Sequence, residues 1–480
     1  MVVKIIVIAL YALMIIIVGI IGMRKTKSFK DFLMGGGNVG PWMTAFSYGT
    51  AYFSAVVFIG FAGKVGWGFG LSGMWIALFN GMIGVLGVWA VLGWKIKKIS
   101  IEMKISTLSE FLENRYKSPF LKLIASIAIF VFLIPYSSAV FIGLSKLFEY
   151  SFTGIEYWHV VVFIAVFTII YLVLGGYKSM AIIDTIFGFI MIIGVGIMIF
   201  FTLREGNGYS NIVADLKSIN PKLTQAIGPP GWWPLLSLVF LTSVAPFAMP
   251  QLIQKFYAIK DKRSVRIGMI GSTLFALLIG FVAYFIGSTT RVFLKNPPLR
   301  VDGTLDFDAF MPVLLNDVIP ENFMVIILIL LLSASMSTLA SLILVSSSSM
   351  VKDFYNGFIN KNVSDKNLTT LMRVGSAVFV IISAGIAINP PDTIVAILGI
   401  SWGALGATFL GPFIWGLFSK KVNKTGAIAS MIGGLSVVLV LAIGIPGVVE
   451  KMASPQAGTI GMLASLAICP IFSFFGKPQE

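Results

Sequence analysis

A group of oxygen-bearing side chains recurs inside one long apolar stretch of the chain. Within SASMSTLASLILVSSSSM, residues 333–350, hydroxyl groups lie at helical spacing at Ser333, Ser337, Thr338 and Ser341. Ser337 and Thr338 are adjacent, so their hydroxyls flank one edge of a helix, and the carbonyl of Ala334 lies one turn back on nearly the same face. Neutral oxygens of this kind suit sodium, a hard cation, and let it bind reversibly. The spacing therefore predicts part of a sodium site.

Serine and threonine in membrane helices also have ordinary structural uses. Their hydroxyls commonly hydrogen-bond the carbonyl four residues earlier in the same helix, or they allow two helices to pack closely. For any one of these hydroxyls taken alone, the structural use is the more frequent one, and SSSS at 346–349 is assigned to packing and helix termination. The sodium hypothesis therefore depends on a second segment that contributes free backbone oxygens.

The elements that position these oxygens must be helices in a lipid bilayer. Of the 480 residues, 57% are hydrophobic and 11% are charged, and the mean hydropathy is +0.95, which excludes an ordinary water-soluble domain. At about 20 apolar residues for each crossing, the pattern predicts about 13 transmembrane helices in one bundle. They are expected near 3–23, 40–66, 71–94, 120–150, 157–175, 180–203, 234–257, 265–293, 323–351, 369–389, 392–418, 425–446 and 457–475. The first run is too long for a signal peptide and is interpreted as a retained span.

The charged residues predict the orientation of the bundle. The net charge of +15 comes mostly from short loops between apolar runs, which favours the positive-inside rule over nucleic-acid binding. The loops expected to face the cytoplasm carry Arg24, Lys25, Lys27 and Lys30, then Lys95, Lys97, Lys98 and Lys104, then Lys260, Lys262, Arg263 and Arg266, then Lys420, Lys421 and Lys424. The N-terminus is then outside and the C-terminus is cytoplasmic. The one cysteine, Cys469, gives neither a disulfide nor a thiolate metal site, and the one histidine, His159, is interpreted as interfacial.

Two of the predicted spans have the composition of broken helices. GGGNVGPWMTAFSYGTAYFSAVVFIGFAG at 35–63 contains Gly49 and Gly60, and LVFLTSVAPFAMPQLIQKF at 238–256 contains Pro246 and Pro250. The two spans are five helices apart. Interrupted helices in corresponding positions of two halves indicate an inverted-repeat transporter whose site lies where the breaks meet. Glycine and proline are also common in ordinary membrane helices, which is the alternative interpretation.

Four segments of the chain resemble the sodium/solute symporter family, which contains bacterial sodium/proline, sodium/pantothenate and sodium/galactose transporters. They are TAFSYGTAYFSAVVFIG at 44–60, STLSEFLENRY at 106–116, LGGYKSMAIIDTIFGFIMIIG at 174–194 and SASMSTLASLILVSSSSMVKDFY at 333–355. The resemblance covers nearly the whole chain. It implies an all-α integral membrane fold with a LeuT-like five-plus-five inverted repeat, one extra N-terminal helix and two extra C-terminal helices. The expected membrane domain (1–480) divides into an N-terminal helix and cytoplasmic loop (1–37), a first repeat (38–203), a second repeat (232–418) and peripheral C-terminal helices (419–480).

The resemblance also implies sodium ligands at matching positions. The main site would use backbone carbonyls of the first broken helix and oxygens of the serine-rich helix, at Thr50, Phe53, Ala334, Ser337 and Thr338. Some family members hold a second sodium ion with an aspartate and further serines, which Asp184 and Ser341 match. The neighbouring serine position is Ala340 here, which puts the second ion in doubt. Asp184 is alternatively a structural carboxylate near the inner mouth, hydrogen-bonded or paired with a lysine such as Lys178.

The solute is less constrained than the ion. Proline transporters have an aspartate in the first broken helix where this chain has Tyr52, and their aromatic pair of the seventh helix falls at Thr242 and Pro246, so proline is not favoured. The glutamine of the sugar transporters falls at Val57, so sugar is also disfavoured. The predicted solute site is formed by Tyr52, Ser54, Phe58, Tyr136, Ser137, Ser138, Thr242, Ser243 and Gln251.

The predicted function is sodium-coupled secondary active transport in the cell membrane. The chain would import a small organic solute, an organic carboxylate or an amino-acid-like or pantothenate-like molecule, by alternating access, with Na⁺ as coupling ion and no cofactor. The alternatives are an integral-membrane enzyme, for which the sequence offers no cluster of acids or histidines, and a sodium-responsive sensor of the same fold, for which FFGKPQE ends the chain without a signalling module. The expected partners are the solute, sodium and lipid, without nucleic acid. A monomer is compatible with the sequence, which does not fix the oligomeric state.

Overall fold

The protein folds as a multi-helix membrane bundle, here in a computed structural model that describes residues 2–25, 28–152, 154–174 and 176–476. These residues form helices and turns and contain no β-strand, because helices satisfy their backbone hydrogen bonds internally in lipid. Eleven helical stretches of the described chain are long and apolar enough to cross a membrane, and Tyr157–Ile170 is a shorter apolar helix. One stretch, Val56–Met103, joins the end of the second expected span to the third. The number of about 13 crossings therefore stays a prediction.

The helices of the first part of the chain follow one another with few residues between them. They are α1 (Val2–Lys25), α2 (Phe29–Met34), α3 (Pro41–Tyr52), α4 (Ala62–Phe69), α5 (Met74–Phe79), α6 (Trp94–Met103), α7 (Leu108–Tyr116), α8 (Pro119–Ser151), α9 (Tyr157–Leu174), α10 (Tyr177–Glu205) and α11 (Tyr209–Ile219). Wider π-helical turns extend them at Val56–Phe61, Asn80–Gly87 and Trp89–Gly93, and tighter 3₁₀ turns lie at Gly35–Gly37, Gly70–Gly73 and Pro221–Thr224.

The second part of the chain repeats the pattern of a split helix followed by long ones. Its helices are α12 (Trp232–Val244), α13 (Pro250–Ala258), α14 (Lys262–Ser288), α15 (Thr290–Phe293), α16 (Phe310–Val318), α17 (Glu321–Ser348), α18 (Asp365–Ile388), α19 (Ile394–Phe418), α20 (Lys424–Ile443) and α21 (Ser454–Ser473). A π-helical segment, Ser349–Ile359, continues α17, and 3₁₀ turns lie at Ala245–Phe247 and Phe307–Ala309.

The first predicted broken helix is interrupted at Phe53 and Ser54. Phe53, directly after α3, has an extended backbone with φ −102° and ψ 102°, and helical structure resumes at Ala55. The Ser54 hydroxyl oxygen accepts the N–H of Val56 at 3.2 Å and so caps the second half. The prediction of an interruption in this helix is confirmed.

The glycines of this segment have a different use from the one the sequence suggested. Gly49 and Gly60 lie in helical segments on either side of the break rather than in it. A Cβ atom would lie 2.5 Å from the ring of Phe275 at Gly49 and 2.3 Å from Ile394 at Gly60. These glycines let α14 and α19 approach the broken helix closely, whereas the break itself comes from the extended Phe53.

The second broken helix is interrupted where its prolines predicted. α12 is followed by the 3₁₀ turn Ala245–Phe247, Met249 is extended with ψ 116°, and α13 begins at Pro250. Pro246 and Pro250 cannot donate a backbone hydrogen bond, so a continuous helix is disfavoured here. The chain therefore has two split helices, α3 with α4 and α12 with α13.

The serine-rich helix α17 lies in the centre of the bundle. Every side chain from Leu330 to Ser348 is buried, with α3, α8, α10 and α18 packed around it. The first hydroxyl of the predicted group has a structural partner, since Ser333 Oγ lies 3.1 Å from the Tyr11 hydroxyl. Ser333 therefore joins α1 to α17, while the remaining hydroxyls face other helices.

Most of the loops predicted to share one side of the membrane lie close together in the fold. A cavity of about 720 Å³ is lined by Lys30, Lys97, Lys104, Lys260 and Lys352, with Asp365 as the one acidic side chain among its lining residues. Three of the four basic loops contribute to it. Lys27, also in the first loop, lies outside the described residues, as do residue 175 and residues 477–480 of the predicted spans and domains. Which side of the cell these lysines face stays a prediction.

Candidate functional site

The centre of the site is a hydroxyl surrounded by three backbone carbonyls. Thr338 Oγ1 lies 3.3 Å from the carbonyl oxygen of Thr50, 3.2 Å from that of Ala51 and 3.1 Å from that of Ala334. A hydroxyl has one hydrogen and can donate it to one acceptor at a time. Two of the three carbonyl oxygens therefore lie close to Thr338 Oγ1 without a hydrogen between the two oxygens. A cation bound among these oxygens would stabilise this arrangement.

A second contact joins the same two helices beside this cluster. The hydroxyl oxygens of Ser337 and Thr50 lie 2.7 Å apart, and Thr50 Oγ1 also donates to the carbonyl of Phe46 at 2.7 Å. Because the Thr50 hydrogen is used within α3, the Thr50 hydroxyl oxygen can accept a hydrogen bond from Ser337. The end of α3 and the middle of α17 are thus held together by side chains of two adjacent residues, as the spacing predicted.

The predicted sodium ligands meet at this junction with one exception. Thr50, Ala334, Ser337 and Thr338 all take part in the recorded contacts. Phe53 supplies the extended turn of the break, but no contact joins its carbonyl to Thr338, so Phe53 as a ligand stays a prediction. The carbonyl of Ala51 is an additional oxygen that sequence reasoning missed. The register of the last turn of α3, which brings this carbonyl to α17, is not encoded in side-chain type.

The residues predicted for a second ion surround a lysine. The ammonium of Lys255 donates to Ser341 Oγ at 2.9 Å and to Ser47 Oγ at 2.8 Å, and it lies 3.9 Å from Asp184 Oδ2. Ser47 in turn donates to the same carboxylate oxygen at 2.5 Å. Lys255 and Asp184 are both fully buried.

The prediction of Lys178 as a possible partner of Asp184 was wrong. Lys178 is exposed, whereas the lysine beside Asp184 is Lys255, on α13. A lysine within the apolar run LVFLTSVAPFAMPQLIQKF was the available signal, because a charged side chain inside a membrane segment needs a partner.

The predicted solute site corresponds in part to a small cavity lined mostly by buried residues. Its volume is about 10 Å³, room for about one water molecule. It is lined by Tyr52, Ser54, Val56, Val57, Phe61, Asn80, Tyr136, Thr242, Tyr284, Leu398 and Trp402. Four of the predicted residues are among them: Tyr52, Ser54, Tyr136 and Thr242. Sequence reasoning missed Asn80, Tyr284 and Trp402, which come from parts of the chain without a polar motif.

The other predicted solute residues lie outside this lining. Ser138 donates to the carbonyl of Ser383 at 2.7 Å, and Ser243 donates to the side chain of Asn80 at 3.0 Å. Phe58 is fully buried. Ser137 and both amide atoms of Gln251 are buried without a hydrogen-bond partner in the described chain. The predicted role of these five residues in solute binding stays a prediction.

The cavity walls are aromatic and join the two split helices. The Tyr52 hydroxyl donates to the carbonyl of Thr242 at 2.5 Å, which connects α3 to α12. The Trp402 ring packs edge-on against Tyr52 and Tyr136, with centroids 5.9 and 5.7 Å apart. The lining residues, all within the described chain, include no charged side chain, and the Tyr284 hydroxyl has no hydrogen-bond partner there. The walls therefore offer aromatic faces and one free donor.

A polar network closes the bundle on the side opposite the lysine cavity. The carboxylate of Asp308 accepts the N–H of Ile394, at 3.1 Å from Oδ2, and so caps the start of α19. Arg300 lies 3.8 Å from the same oxygen. Lys64, on α4, donates to Thr393 Oγ1 at 3.0 Å. The network ties the second half of the first split helix, α4, to α19 and to the segment before α16.

The Asp308 carboxyl gives this network a testable pH dependence. Burial raises its pKa from 3.8 to about 6, and Asp306 adds to the rise, while the Ile394 N–H, Arg300 and Lys64 oppose it. The folded chain thus holds the proton more tightly than the unfolded chain. The resulting stability is present below about pH 4 and is lost as the pH rises through about 6, an effect on the order of 3 kcal/mol.

We expect Asp308→Asn to remove this component, because the amide keeps an acceptor for Ile394 but does not titrate. The measurement is the difference in melting temperature between the variant and the parent chain in detergent, from pH 5 to pH 7.5. The variant should gain stability relative to the parent as the pH rises. A difference that does not change with pH would contradict the assignment.

Comparison with known sequences gives one family. The family model described as the Sodium:solute symporter family matches residues 32–434. The Sodium/proline symporter of Staphylococcus aureus (strain bovine RF122 / ET3-1) is 30% identical over 445 residues, covering 91% of this chain and 85% of the relative. The protein of the same name from strain NCTC 8325 / PS 47 is 29% identical with the same coverage. No group of three or more His, Cys, Asp or Glu in the described chain could hold a metal ion.

Solved structures share the fold. The substrate-bound outward-open state of a Na⁺-coupled sialic acid symporter has a TM-score of 0.83 at 19% identity and covers 99% of this chain and 98% of that chain. Mhp1, a nucleobase-cation-symport-1 family transporter in a closed conformation, has a TM-score of 0.53 at 13% identity, covering 92% and 94%. These neighbours are LeuT-fold transporters, which confirms the predicted all-α LeuT-like fold, while the one extra N-terminal helix and the two extra C-terminal helices stay predictions. The matched family and the named relatives are symporters, which confirms the prediction of a transporter rather than an enzyme.

Proposed function

This chain belongs to the sodium:solute symporter family, and we propose that it uses the sodium gradient to import a small amino-acid-like zwitterion across the cell membrane. The observation that carries the proposal is the Thr338 hydroxyl among the carbonyls of Thr50, Ala51 and Ala334. Those oxygens come from both sides of the junction between α3 and α17. A sodium ion bound there would hold the two helices together.

The coupling follows from where the two ligands meet. The split helix that supplies sodium ligands at Thr50 and Ala51 also supplies Tyr52 and Ser54 to the cavity walls. Sodium binding orders the end of α3, and this order completes one wall of the solute cavity. Solute then binds to a site that is preformed only in the sodium-loaded protein, which is positive cooperativity between two ligands. Rocking of the split helices against α17 carries both to the other side.

The energy of one sodium ion is sufficient for useful accumulation. One elementary charge that crosses 100 mV releases about 2.3 kcal/mol. At about 1.4 kcal/mol for each factor of ten, this supports roughly a fifty-fold solute gradient before any concentration difference of sodium is added. A single coupled ion therefore accounts for the proposed import.

The cavity chemistry favours a zwitterion among the candidate solutes. Tyr52, Tyr136 and Trp402 present aromatic surfaces, which attract an ammonium group by cation–π interaction. The unpaired Tyr284 hydroxyl can donate a hydrogen bond to a carboxylate. A sugar would need several paired polar side chains, whereas Asn80 already accepts hydrogen bonds from Thr242 and Ser243.

The proposal is tested by uptake into proteoliposomes. The full-length chain would be given an inward sodium gradient, or a potassium gradient as control, with radiolabelled proline and other amino acids, pantothenate and galactose. We expect sodium-driven accumulation of at least one amino acid that collapses when the gradient is dissipated. Accumulation of galactose alone would overturn the solute class, and turnover that ignores the gradient would overturn symport.

The orientation forms part of the same proposal. The lysine cavity of Lys30, Lys97, Lys104, Lys260 and Lys352 faces the cytoplasm, as the positive-inside rule expects, so the Asp308 network faces outward. The N-terminus is then outside and the C-terminus inside. Maleimide labelling of cysteines introduced at Lys104 and at Asp302 in intact cells tests this arrangement, because only the second should react with an impermeant reagent.

A further inference from the structure

The buried lysine beside the sodium junction has the position of a bound ion. We propose that the ammonium of Lys255 occupies the site of a second sodium ion, so that the chain binds a single sodium ion in each cycle. The inference rests on the proposed symport and deepens it by fixing how many ions are coupled. It concerns four side chains from four helices: Ser47 on α3, Asp184 on α10, Lys255 on α13 and Ser341 on α17.

The direction of the hydrogen bonds identifies the site as a cation site. Ser47 donates its hydrogen to Asp184 Oδ2 at 2.5 Å, and Ser341 donates its hydrogen to the carbonyl of Ser337 at 3.1 Å. Each hydroxyl therefore turns a lone pair, rather than a hydrogen, toward the ammonium, at 2.8 and 2.9 Å. Hydroxyl oxygens would present the same lone pairs to a metal cation.

The charge balance of the site disfavours binding of a further cation. One carboxylate, Asp184, faces one ammonium, Lys255, and both are fully buried. A sodium ion added beside Lys255 would place two positive charges next to each other in a low-dielectric interior with one negative charge to balance them. The ammonium and a sodium ion therefore exclude each other.

The Asp184 carboxylate is the one negative charge among these four side chains. Its Oδ2 interacts with Ser47 and Lys255, and its Oδ1 is also buried. If the ammonium is removed, Asp184, Ser47 and Ser341 provide a negatively charged group of oxygens. Such a group has the composition that a sodium ion requires.

The lysine is also connected to the first sodium site. Ser341, which accepts from Lys255, donates to the carbonyl of Ser337, and the Ser337 hydroxyl contacts Thr50. The ammonium, on α13 of the second split helix, therefore contacts the same part of α17 that contacts α3 of the first split helix. A sodium ion bound at this place would be released in each transport cycle. The Lys255 ammonium is not released, because it is attached to α13 and moves with that helix.

The experiment counts ions directly. Equilibrium binding of ²²Na⁺ to the purified full-length chain should saturate at one ion per chain. In Lys255→Met, which keeps an unbranched side chain one atom shorter and removes the charged ammonium, binding should saturate at two ions. Lys255→Met with Asp184→Asn should return to one ion, and Lys255→Arg should remain at one. Sodium activation of uptake should change from hyperbolic to sigmoidal in Lys255→Met.

Each outcome has a distinct meaning. Two ions bound to the parent chain, or one ion bound to a folded Lys255→Met chain, would overturn the inference and leave sodium-coupled transport standing. A parent chain that binds no sodium would overturn the proposed function itself. Lys255→Gln, whose amide can still hydrogen-bond Ser47 and Ser341, serves as the uncharged variant if Lys255→Met does not fold, and it should also bind two ions.

Discussion

Replacing Thr338 by valine should weaken sodium binding by about ten- to a hundredfold, because it removes a hydroxyl ligand worth roughly 1.5–3 kcal/mol to a charged group. Valine has nearly the same shape, so α17 should pack as before. The three carbonyls of Thr50, Ala51 and Ala334 would remain without the oxygen they now surround. The measurement is the sodium concentration that gives half-maximal uptake in proteoliposomes.

Thr202 provides a matched control for this substitution. It is fully buried in α10, and its hydroxyl donates to the carbonyl of Met198, four residues earlier, at 2.8 Å. Thr202→Val removes the same atoms from a structural site, so it should leave the sodium requirement unchanged. If both variants require the same sodium concentration as the parent chain, Thr338 is a packing residue and the sodium assignment at this junction is wrong.

Gln251 should show opposite effects on stability and on transport. Its side chain is 1% exposed, and both amide atoms lack a partner in the described chain. Such groups cost stability, about 1–3 kcal/mol for each atom left unsatisfied. Gln251→Leu should therefore raise the melting temperature of the solute-free protein. If the amide binds solute, the same change should lower solute affinity at least tenfold, measured with the amino acid that shows the largest sodium-driven uptake.

The neighbouring glutamine of the same helix supplies the comparison. Gln254 is also buried, but its Nε2 donates to the carbonyl of Leu33 at 3.0 Å. Gln254→Leu should lower the melting temperature, since it leaves that carbonyl unpaired, and it should not change solute affinity. Undiminished affinity in Gln251→Leu would remove Gln251 from the solute site.

The sequence predicted the fold better than it predicted the contacts. Hydrophobic run length and prolines at 246 and 250 are local signals, so the helices and the second break could be located in advance. The first break was expected from Gly49 and Gly60, yet it lies at Phe53. Which turn of a helix opens depends on the carbonyls and hydroxyls that face it across the bundle, and these are set by tertiary packing.

In the site, too, local features could be predicted from the sequence and long-range contacts could not. Ser337 and Thr338 are adjacent in the chain and stay adjacent in the fold, so their shared role could be inferred from spacing. Lys255 and Asp184 are separated by 71 positions, and Trp402 lies far in the sequence from Tyr52 and Tyr136, against which its ring packs. Nothing in a residue's type shows which distant helix it will face. The sequence indicated that an acidic side chain inside one span would pair with a lysine. It did not show which lysine this would be.

The small cavity between the two split helices has a consequence for ion leakage. Its volume of about 10 Å³ admits about one water molecule and no hydrated ion, and the Tyr52 to Thr242 hydrogen bond runs across it. A hydrated ion therefore cannot pass through this cavity in the conformation described. Copies of the protein in this conformation would not dissipate the sodium gradient through the cavity.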